Sequence, residues 1–466
     1  MASTAGRRGC ARSTARTLRN PSRHRNGAAD PPSRTRPRGG YRSRVSFLDD
    51  YLTRTPRSRA LFDRALDALP GGSTRTTVFS APYPPYAASG SGLVVTDVDG
   101  NTYRDFLGNY TSLILGHAHP AVVAAVEAQV RRGSAFAAPT ETEVELADEI
   151  RRRVPSIDRL RFTSSGTEAT MFAIRAARAF TGRSLVARFD HSYHGTHDQV
   201  MAGTPGVPNA IGGLLVELPW GDLAGVADAL AGREADLAAV LIEPVQGAGG
   251  VRAPDPAFLT GLRSLADRLG ALLIFDEIIS FRIAPGGAQS VFGVRPDLTT
   301  LGKIIAGGYP LAAFGGRADV MAIFDARRDR AVSHGGTFNG NPVAAAAGLA
   351  TLRELTPAVY ERINTLGDRL AARLGAAIEN AGLDARVVNV GSLFQVLRRD
   401  AGTAFAPGAG RPSELYLGLL LDGLLIAPRG MGAIPTVATE ADVDDLADAV
   451  AAILRAIDRP VAAAVS

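Results

Sequence analysis

The chain has 466 residues, of which 46% are hydrophobic and 21% are charged, so it carries enough apolar surface for at least one large folded core. This composition excludes a chain that is disordered throughout, and no apolar run reaches the ~20 residues that span a bilayer. The formal net charge of +5 is unevenly distributed, because residues 1–44 hold twelve arginines and one acidic residue, Asp30.

Residues 1–44 are rich in Arg, Ser, Pro and Gly and have few apolar side chains, so we expect this extension to be disordered. It resembles a targeting peptide, a nucleic-acid-binding arm or the product of a start codon assigned too far upstream, and we favour the last. Nucleic acid is an unlikely partner because residues 45–466 are net negative. The single cysteine, Cys10, excludes an intramolecular disulfide, no cluster has zinc-site spacing, and we expect a metal-free cytoplasmic protein.

Regular structure is predicted from about Ser46, beginning with a helix over Tyr51–Leu69 that ends at Pro70-Gly71-Gly72. Two β-rich runs on either side of Asp99-Gly100 predict a pair of hairpin-like strands. Short apolar strands then alternate with helices. The predicted strands of this middle part are Arg159–Thr163, Leu185–Phe189, Ala238–Ile242, Ala271–Phe275, Leu298–Leu301 and Leu311–Gly315.

This alternation predicts the α/β class, with a mostly parallel sheet that helices cover on both faces. Such sheets bind ligands at the carboxyl ends of their strands. Long helical patterns and short strands after Asn341 predict a smaller α+β C-terminal domain. We therefore divide the chain into the extension 1–44, an N-terminal part of the small domain at 45–110, a large ligand-binding domain at 111–341 and the C-terminal small domain at 342–466.

The use of basic residues is extremely uneven: fifty of the 51 are arginine, and Lys303 is the one lysine. A compositional bias toward arginine explains the fifty but does not explain the exception. Arginine replaces lysine as a surface charge, but its guanidinium stays protonated and does not form a Schiff base. Lysine loses its proton when it is buried and then condenses with a carbonyl group. The count therefore makes Lys303 a candidate nucleophile.

Two further segments carry chemistry at the ends of predicted strands. Ser164-Ser165-Gly166-Thr167-Glu168 joins a strand to a helix, and its hydroxyls, backbone N–H groups and positive helix end suit a phosphate. An ordinary helix N-cap explains the same residues equally well. The Ser192–Gly195 segment offers Tyr193 as an aromatic face for a ring, although a plain loop tyrosine is the simpler interpretation.

Asp276 ends an apolar strand, where a buried carboxylate needs a cationic or hydrogen-bonding partner. An N-cap or a metal ligand would serve, but no phosphate-loop motif of a P-loop enzyme occurs, and a protonated heterocycle nitrogen is the better partner. Lys303 follows another strand among apolar residues and glycines, where desolvation favours the neutral amine. A phosphate turn, an aromatic face, a carboxylate and a buried lysine together predict pyridoxal phosphate (PLP) as the cofactor.

The chain resembles the class III, or ω-type, PLP-dependent aminotransferases of fold type I, from about Leu61 to its C-terminus. Within that family it is similar to glutamate-1-semialdehyde aminomutases and, more closely, to β-phenylalanine-type β-amino-acid transaminases. The motifs that carry the resemblance are Phe275–Arg282, Leu301–Gly316 and Gly335–Pro342, with Pro70–Arg75, Ala284–Gly287 and His334–Phe338 favouring the transaminases.

The resemblance implies a role for each matching residue. Lys303 would attach the cofactor and shuttle the proton, and Asp276 would keep the pyridine nitrogen protonated. The phosphate would bind Ser165, Gly166 and Thr167, while Tyr193 and Ile278 would pack against the two faces of the ring. Thr337 would reach the phosphate of a neighbouring subunit, which implies a homodimer with active sites at the subunit interface.

Three positions bear on the choice of substrate: two arginines, and one position that lacks a glutamate found in related enzymes. Arg75 resembles the residue that binds the carboxylate of β-amino acids, and Arg429 resembles the one that binds the α-carboxylate of the keto acid. Ala248 stands where ornithine- and GABA-type transaminases carry a glutamate, which argues against those specificities. Aminomutases lack an arginine at the Arg429 position. A surface ion pair is the alternative interpretation of either arginine.

These features predict a transaminase that moves an amino group from a β- or ω-amino acid to 2-oxoglutarate or pyruvate in two half-reactions. One alternative is an intramolecular aminomutase, which needs no acceptor acid. Another is a catalytically inactive cofactor-binding homologue whose basic extension engages nucleic acid, because a fold by itself does not establish a function.

Overall fold

The computed structural model describes residues 44–399 and 412–458. The predicted disordered extension lies outside the described residues except for Arg44, which begins the first helix. The helices are α1 (Arg44–Arg54), α2 (Pro56–Leu66), α3 (Gly108–Thr111), α4 (Pro120–Arg132), α5 (Glu141–Arg153), α6 (Gly166–Thr181), α7 (Asn209–Gly212), α8 (Leu223–Leu230), α9 (Pro256–Leu269), α10 (Ala288–Phe292), α11 (Ala318–Met321), α12 (Pro342–Glu354), α13 (Pro357–Ala381), α14 (Glu414–Leu421) and α15 (Glu440–Asp458).

The strands form three sheets. They are β1 (Ala87–Ser91), β2 (Val94–Asp97), β3 (Thr102–Asp105), β4 (Arg159–Thr163), β5 (Leu185–Phe189), β6 (Leu215–Leu218), β7 (Leu237–Ile242), β8 (Leu272–Asp276), β9 (Leu298–Leu301), β10 (Ala312–Gly316), β11 (Arg386–Val390), β12 (Leu393–Leu397), β13 (Leu424–Leu425) and β14 (Met431–Ala433). The largest sheet has seven strands in the order β4-β10-β9-β8-β7-β5-β6, and the smaller ones are β1-β2-β3-β13 and β11-β12-β14.

The seven-stranded sheet confirms the predicted α/β class. Strand β10 runs antiparallel to both of its neighbours, and all other neighbouring pairs are parallel. Apolar clusters cover both faces of the sheet, and every residue of β7 is buried. Such double burial explains why these strands are almost continuously apolar in sequence. The carboxyl ends of β4, β5, β7, β8 and β9 consequently lie along one edge.

Most predicted elements have the expected positions, but the first helix differs, and β1, β6, β14, α3, α7, α8, α10 and α11 were not predicted. The single helix predicted over Tyr51–Leu69 is wrong, because α1 begins at Arg44 and α2 begins separately at Pro56. Proline lacks a backbone N–H and therefore begins a helix readily but interrupts a continuous one. Strand β6 at the sheet edge was not predicted, since its four residues alternate between buried and more exposed positions and give a weak apolar signal.

A separate apolar core joins the two ends of the described chain. Phe47, Tyr103 and Phe106 pack in one cluster with side chains of α13, α14 and α15. Strand β13 pairs in parallel with β3, so the N-terminal hairpin and the C-terminal segment share a sheet.

The domain limits at 44, 110 and 341 stay predictions. Within the described ranges, no helix is both long and apolar enough to cross a membrane.

Candidate active site

Polar groups collect where the parallel strands of the large sheet end. Asp276 is the last residue of β8, Lys303 follows β9, and Tyr193 lies in the loop after β5. Glu243 follows β7, and Thr163 ends β4 just before the predicted phosphate turn. Because these strands run in the same direction, the structure brings the three predicted residues Tyr193, Asp276 and Lys303 to one edge of the sheet.

The carboxylate of Asp276 is buried, with 3% of the residue exposed, and has partners on both oxygens. Its Oδ2 lies 2.8 Å from Nδ1 of His194, and its Oδ1 accepts hydrogen bonds from the Thr300 hydroxyl at 3.0 Å and the Ile278 N–H at 3.2 Å. These contacts give the buried carboxylate the hydrogen-bonding partners that it needs away from water and fix its orientation. Sequence reasoning gave His194 no role. Two signals pointed to it: it directly follows Tyr193, and a buried Asp276 needs a hydrogen-bonding partner.

Lys303 combines an unusual backbone conformation with a lowered pKa. Its φ of 50° is in the left-handed region, which few residues other than Gly and Asn adopt. Desolvation lowers the pKa of its ammonium group, while the negative charges of Asp276 and Glu243 oppose that change. A lowered pKa gives this amine a larger neutral, nucleophilic fraction than a solvent-exposed lysine has. Backbone strain of this kind clusters at functional sites.

Glu243 is a second buried carboxyl that sequence reasoning had assigned no role. It accepts hydrogen bonds from the N–H groups of Tyr193 at 3.0 Å and Gly247 at 3.2 Å. Its pKa is raised to about 7, because burial and the negative charge of Asp276 raise it more than His194 and the two backbone hydrogen bonds lower it. This carboxyl therefore changes its charge near neutral pH while it fixes the backbone that carries Tyr193.

The predicted phosphate turn is also a capped helix start. The Ser165 hydroxyl accepts from the Glu168 N–H at 3.2 Å, and the Glu168 carboxylate accepts from the N–H groups of Ser164 and Ser165. This is a capping box, so the N-cap alternative describes the turn correctly. The amides of Gly166 and Thr167 lie in the first turn of α6, where the positive helix end favours an anion.

Glycines leave space around Ile278 between the phosphate turn and Lys303. A Cβ added to Gly166 would lie 2.7 Å from Cδ1 of Ile278, and one added to Gly302 would lie 3.4 Å from Cγ2 of the same side chain. A Cβ on Gly195 would lie 2.7 Å from Cα of Thr167. The loop after β5 and the side chain of Ile278 therefore approach the start of α6 more closely than residues larger than glycine would allow.

A cavity of about 750 Å³ opens at this edge, and Arg75, Tyr193, Lys303 and Arg429 all line it. Its apolar wall is formed by Phe79, Ala81, Ile279, Ala427, Pro428 and Met431. Thr337 is exposed and does not line this cavity. The structure thus brings both predicted substrate arginines to the lysine but leaves Thr337 apart from them.

The two arginines face the cavity without acidic partners. Within the part of the chain that the structure describes, neither Arg75 nor Arg429 forms an ion pair, which contradicts the surface-ion-pair interpretation there. Tyr110 lines the same cavity. Burial raises the pKa of its phenol, while the positive charges of Arg75 and Arg429 lower it. Ala248 lines the same cavity and supplies no carboxylate. Two positive charges are therefore available to anionic substrates.

A left-handed turn forms one rim of the cavity. Gly108, Asn109, Tyr110 and Thr111 have φ values of 54°, 49°, 55° and 74° in succession. For residues with a Cβ this conformation costs roughly 1–2 kcal/mol each. Asn109 and Tyr110 both line the cavity, and sequence reasoning missed them. Only Gly108 and Asn109 hint at such a turn, because Gly and Asn tolerate positive φ.

With this geometry in view, the family of the chain can be stated. The family model described as aminotransferase class-III matches residues 80–457, most of the chain. The chain belongs to the class-III aminotransferases. Its motifs had predicted this membership, and the fold confirms PLP fold type I, because solved transaminases superimpose on it over most of their length.

The similar proteins are named either as aminomutases or as transaminases. A glutamate-1-semialdehyde 2,1-aminomutase from Sorangium cellulosum is 48% identical over 73% of this chain and 81% of that protein. An omega-transaminase from Sphaerobacter thermophilus is 42% identical, with a TM-score of 0.82 over 85% of this chain and 97% of its own. A beta-phenylalanine aminotransferase from Variovorax paradoxus is 35% identical, with a TM-score of 0.80 over 88% and 96% of the two chains.

Class-III aminotransferases depend on PLP, and this chain is a PLP-dependent enzyme. The residues at the sheet edge fit that cofactor, because Lys303 has an amine of lowered pKa, Asp276 is a buried carboxylate, and the N-terminus of α6 offers backbone N–H groups to an anion. When bound, PLP supplies a conjugated ring that withdraws electrons from the amino-bearing carbon of a substrate.

Proposed function

We propose that this enzyme is a transaminase that moves an amino group from a β- or ω-amino acid to an α-keto acid such as 2-oxoglutarate, in two successive half-reactions. The observation that carries the proposal is the pair of arginines in one cavity with Lys303. Each half-reaction brings one carboxylate-bearing substrate to the same lysine. A planar guanidinium matches a carboxylate with two parallel hydrogen bonds, so each substrate has its own anchor.

The residues at the sheet edge take the following roles in this proposal. Lys303 holds the cofactor, and its amine then moves the proton at the amino-bearing carbon of the substrate. Asp276 keeps a proton on the ring nitrogen, since a carboxylate stabilises a neighbouring positive charge. Ser165, Gly166 and Thr167 would hold the phosphate of PLP, and Tyr193 and Ile278 would pack against its ring.

Arg75 and Arg429 divide the substrates between them. Arg75 binds the carboxylate of the amino donor, and Arg429 binds the α-carboxylate of the keto acid. The apolar wall of the cavity accommodates an uncharged, aromatic donor side chain. The similar omega-transaminase and beta-phenylalanine aminotransferase support this substrate class.

A second candidate is an intramolecular aminomutase, which the name of the relative from Sorangium cellulosum favours at 48% identity. A mutase returns the amino group to another carbon of the same substrate and needs no acceptor. An added keto acid would therefore leave its turnover unchanged, whereas a transaminase stops without one.

The test follows the visible absorption of the cofactor in the purified holoenzyme. We expect β-phenylalanine to bleach the band of the lysine-bound cofactor and 2-oxoglutarate to restore it. In Arg429→Ala, bleaching should be unchanged while KM for 2-oxoglutarate rises about 10- to 100-fold, because a charge-assisted anchor is lost. A band that neither compound changes, together with turnover of glutamate-1-semialdehyde, would favour the mutase.

We also propose that the active enzyme is a homodimer in which Thr337 contacts the phosphate of the partner subunit's cofactor. Thr337 is exposed and lies away from the cavity of its own chain, which supports a role in a neighbouring site. Phe338, the next residue, is 62% exposed, so this segment also presents an apolar side chain that a partner subunit could cover.

Mixed dimers test this sharing of residues. A dimer of one Lys303→Ala chain and one Thr337→Val chain has one site with both changes and one site with none. We expect the intact site to bind PLP with wild-type affinity, while Thr337→Val homodimers bind it about 10-fold more weakly through loss of a phosphate hydrogen bond. If the mixed dimer keeps the weakened affinity, Thr337 acts within its own chain.

A further inference from the structure

Arg75 has a polar partner at the cavity rim that the proposed function leaves without a role. Nη1 of Arg75 donates a hydrogen bond of 3.1 Å to Oδ1 of Asn109. Both residues line the cavity. The acceptor is an uncharged amide, so the contact restricts the direction of the guanidinium without neutralising its charge.

A second hydrogen bond fixes which end of the Asn109 amide faces Arg75. Nδ2 of Asn109 donates to the Ser112 hydroxyl at 3.2 Å, and that hydroxyl in turn donates to the Asn109 carbonyl at 3.0 Å. The amide nitrogen is thereby occupied by Ser112. The oxygen remains as the acceptor for the guanidinium.

The backbone that carries Asn109 is held by buried contacts. Arg282, which is 2% exposed, donates from Nη1 to the carbonyl of Thr111 at 3.3 Å and from Nη2 to the carbonyl of Ile434 at 2.6 Å. At the other end, the Tyr110 hydroxyl donates to the carbonyl of Thr77, two residues beyond Arg75. These contacts maintain the left-handed turn and link it to the segment of Arg75.

We propose that Asn109 is a positioning residue, which aims the Arg75 guanidinium at the carboxylate of the amino donor while leaving its positive charge free. The inference rests on the proposed function, in which Arg75 binds that carboxylate. Asparagine suits both requirements, because it tolerates the positive φ of this turn and offers a neutral acceptor.

The test uses the holoenzyme and 3-phenylpropionate, which has the carboxylate and ring of the donor but no amino group. Asn109→Gly keeps the positive φ and removes the acceptor, and we expect its Kd for 3-phenylpropionate to rise about 10-fold. Asn109→Asp places a carboxylate against Arg75 that competes with the ligand, so its Kd should rise further, roughly 30-fold. Asn209→Gly and Asn209→Asp, at an exposed position in α7, are matched controls.

Steady-state kinetics separate positioning from a general structural effect. KM for β-phenylalanine should rise with Kd in both Asn109 variants, while kcat at saturation stays within about twofold of wild type. Unchanged Kd values in both variants, or a fall in kcat at unchanged Kd, would overturn the inference. Arg75→Ala shows whether a negative result concerns Asn109 alone or Arg75 as well. If Arg75→Ala also leaves the Kd unchanged, Arg75 does not bind the donor carboxylate and the proposed function is wrong on this point.

Discussion

Replacing Lys303 with alanine should reduce kcat by roughly 10⁴-fold, because the change removes both the covalent anchor of the cofactor and the amine that moves the proton. No other residue can substitute for it, since the chain contains no second lysine. The measurement is single-turnover absorbance after β-phenylalanine is mixed with the variant reconstituted with PLP. The lysine-bound absorption band should be absent before the substrate is added.

Lys303→Arg is the matched control for charge. It places a permanent cation beside Asp276 and Glu243 but cannot condense with a carbonyl, so it should be as inactive as the alanine variant. Arginine in the left-handed conformation is no more strained than lysine, and both variants should keep the thermal stability of the wild-type apoprotein to within a few degrees. An Arg variant with appreciable turnover would show that the positive charge alone suffices.

Asp276→Asn should lower kcat/KM by about 10²- to 10³-fold, the range seen when one aligned electrostatic contact is removed from a catalytic centre. The asparagine keeps the shape of the side chain and can still accept from Thr300 and from the Ile278 N–H. It cannot stabilise a protonated ring nitrogen with a full negative charge. Stopped-flow absorbance of the amino-donor half-reaction should show that the proton-transfer step is slowed.

His194→Gln distinguishes the charge of Asp276 from its orientation. Glutamine removes the contact to Oδ2 of Asp276 but leaves that carboxylate in place, so we expect a smaller loss, about 10-fold in kcat. Equal losses in Asp276→Asn and His194→Gln would contradict the view that the negative charge of Asp276 is the main contribution. Cofactor affinity, measured by equilibrium dialysis, should fall less than kcat in both variants.

Much of the large domain was predictable because its signals are local. Apolar runs such as Leu237–Ile242 and Leu272–Asp276 are strands buried on both faces, and their pattern does not depend on distant residues. The single lysine among fifty arginines is likewise visible in the sequence. The helix break before Pro56 also has a local signal, the proline itself, which the single helix predicted over Tyr51–Leu69 did not take into account.

The amino-acid sequence by itself determined which chemistry-bearing residues follow the strands, namely Tyr193, Asp276 and Lys303, because strand ends and residue types are properties of short segments. Only the tertiary structure decided that His194 contacts Asp276, 82 positions away, and that Arg75 and Arg429 line the same cavity. It also decided the left-handed turn at Asn109, whose cost is offset by long-range bonds such as the one from Arg282 to Thr111. Local propensity disfavours such a turn, so nothing short of the packed fold could have shown it.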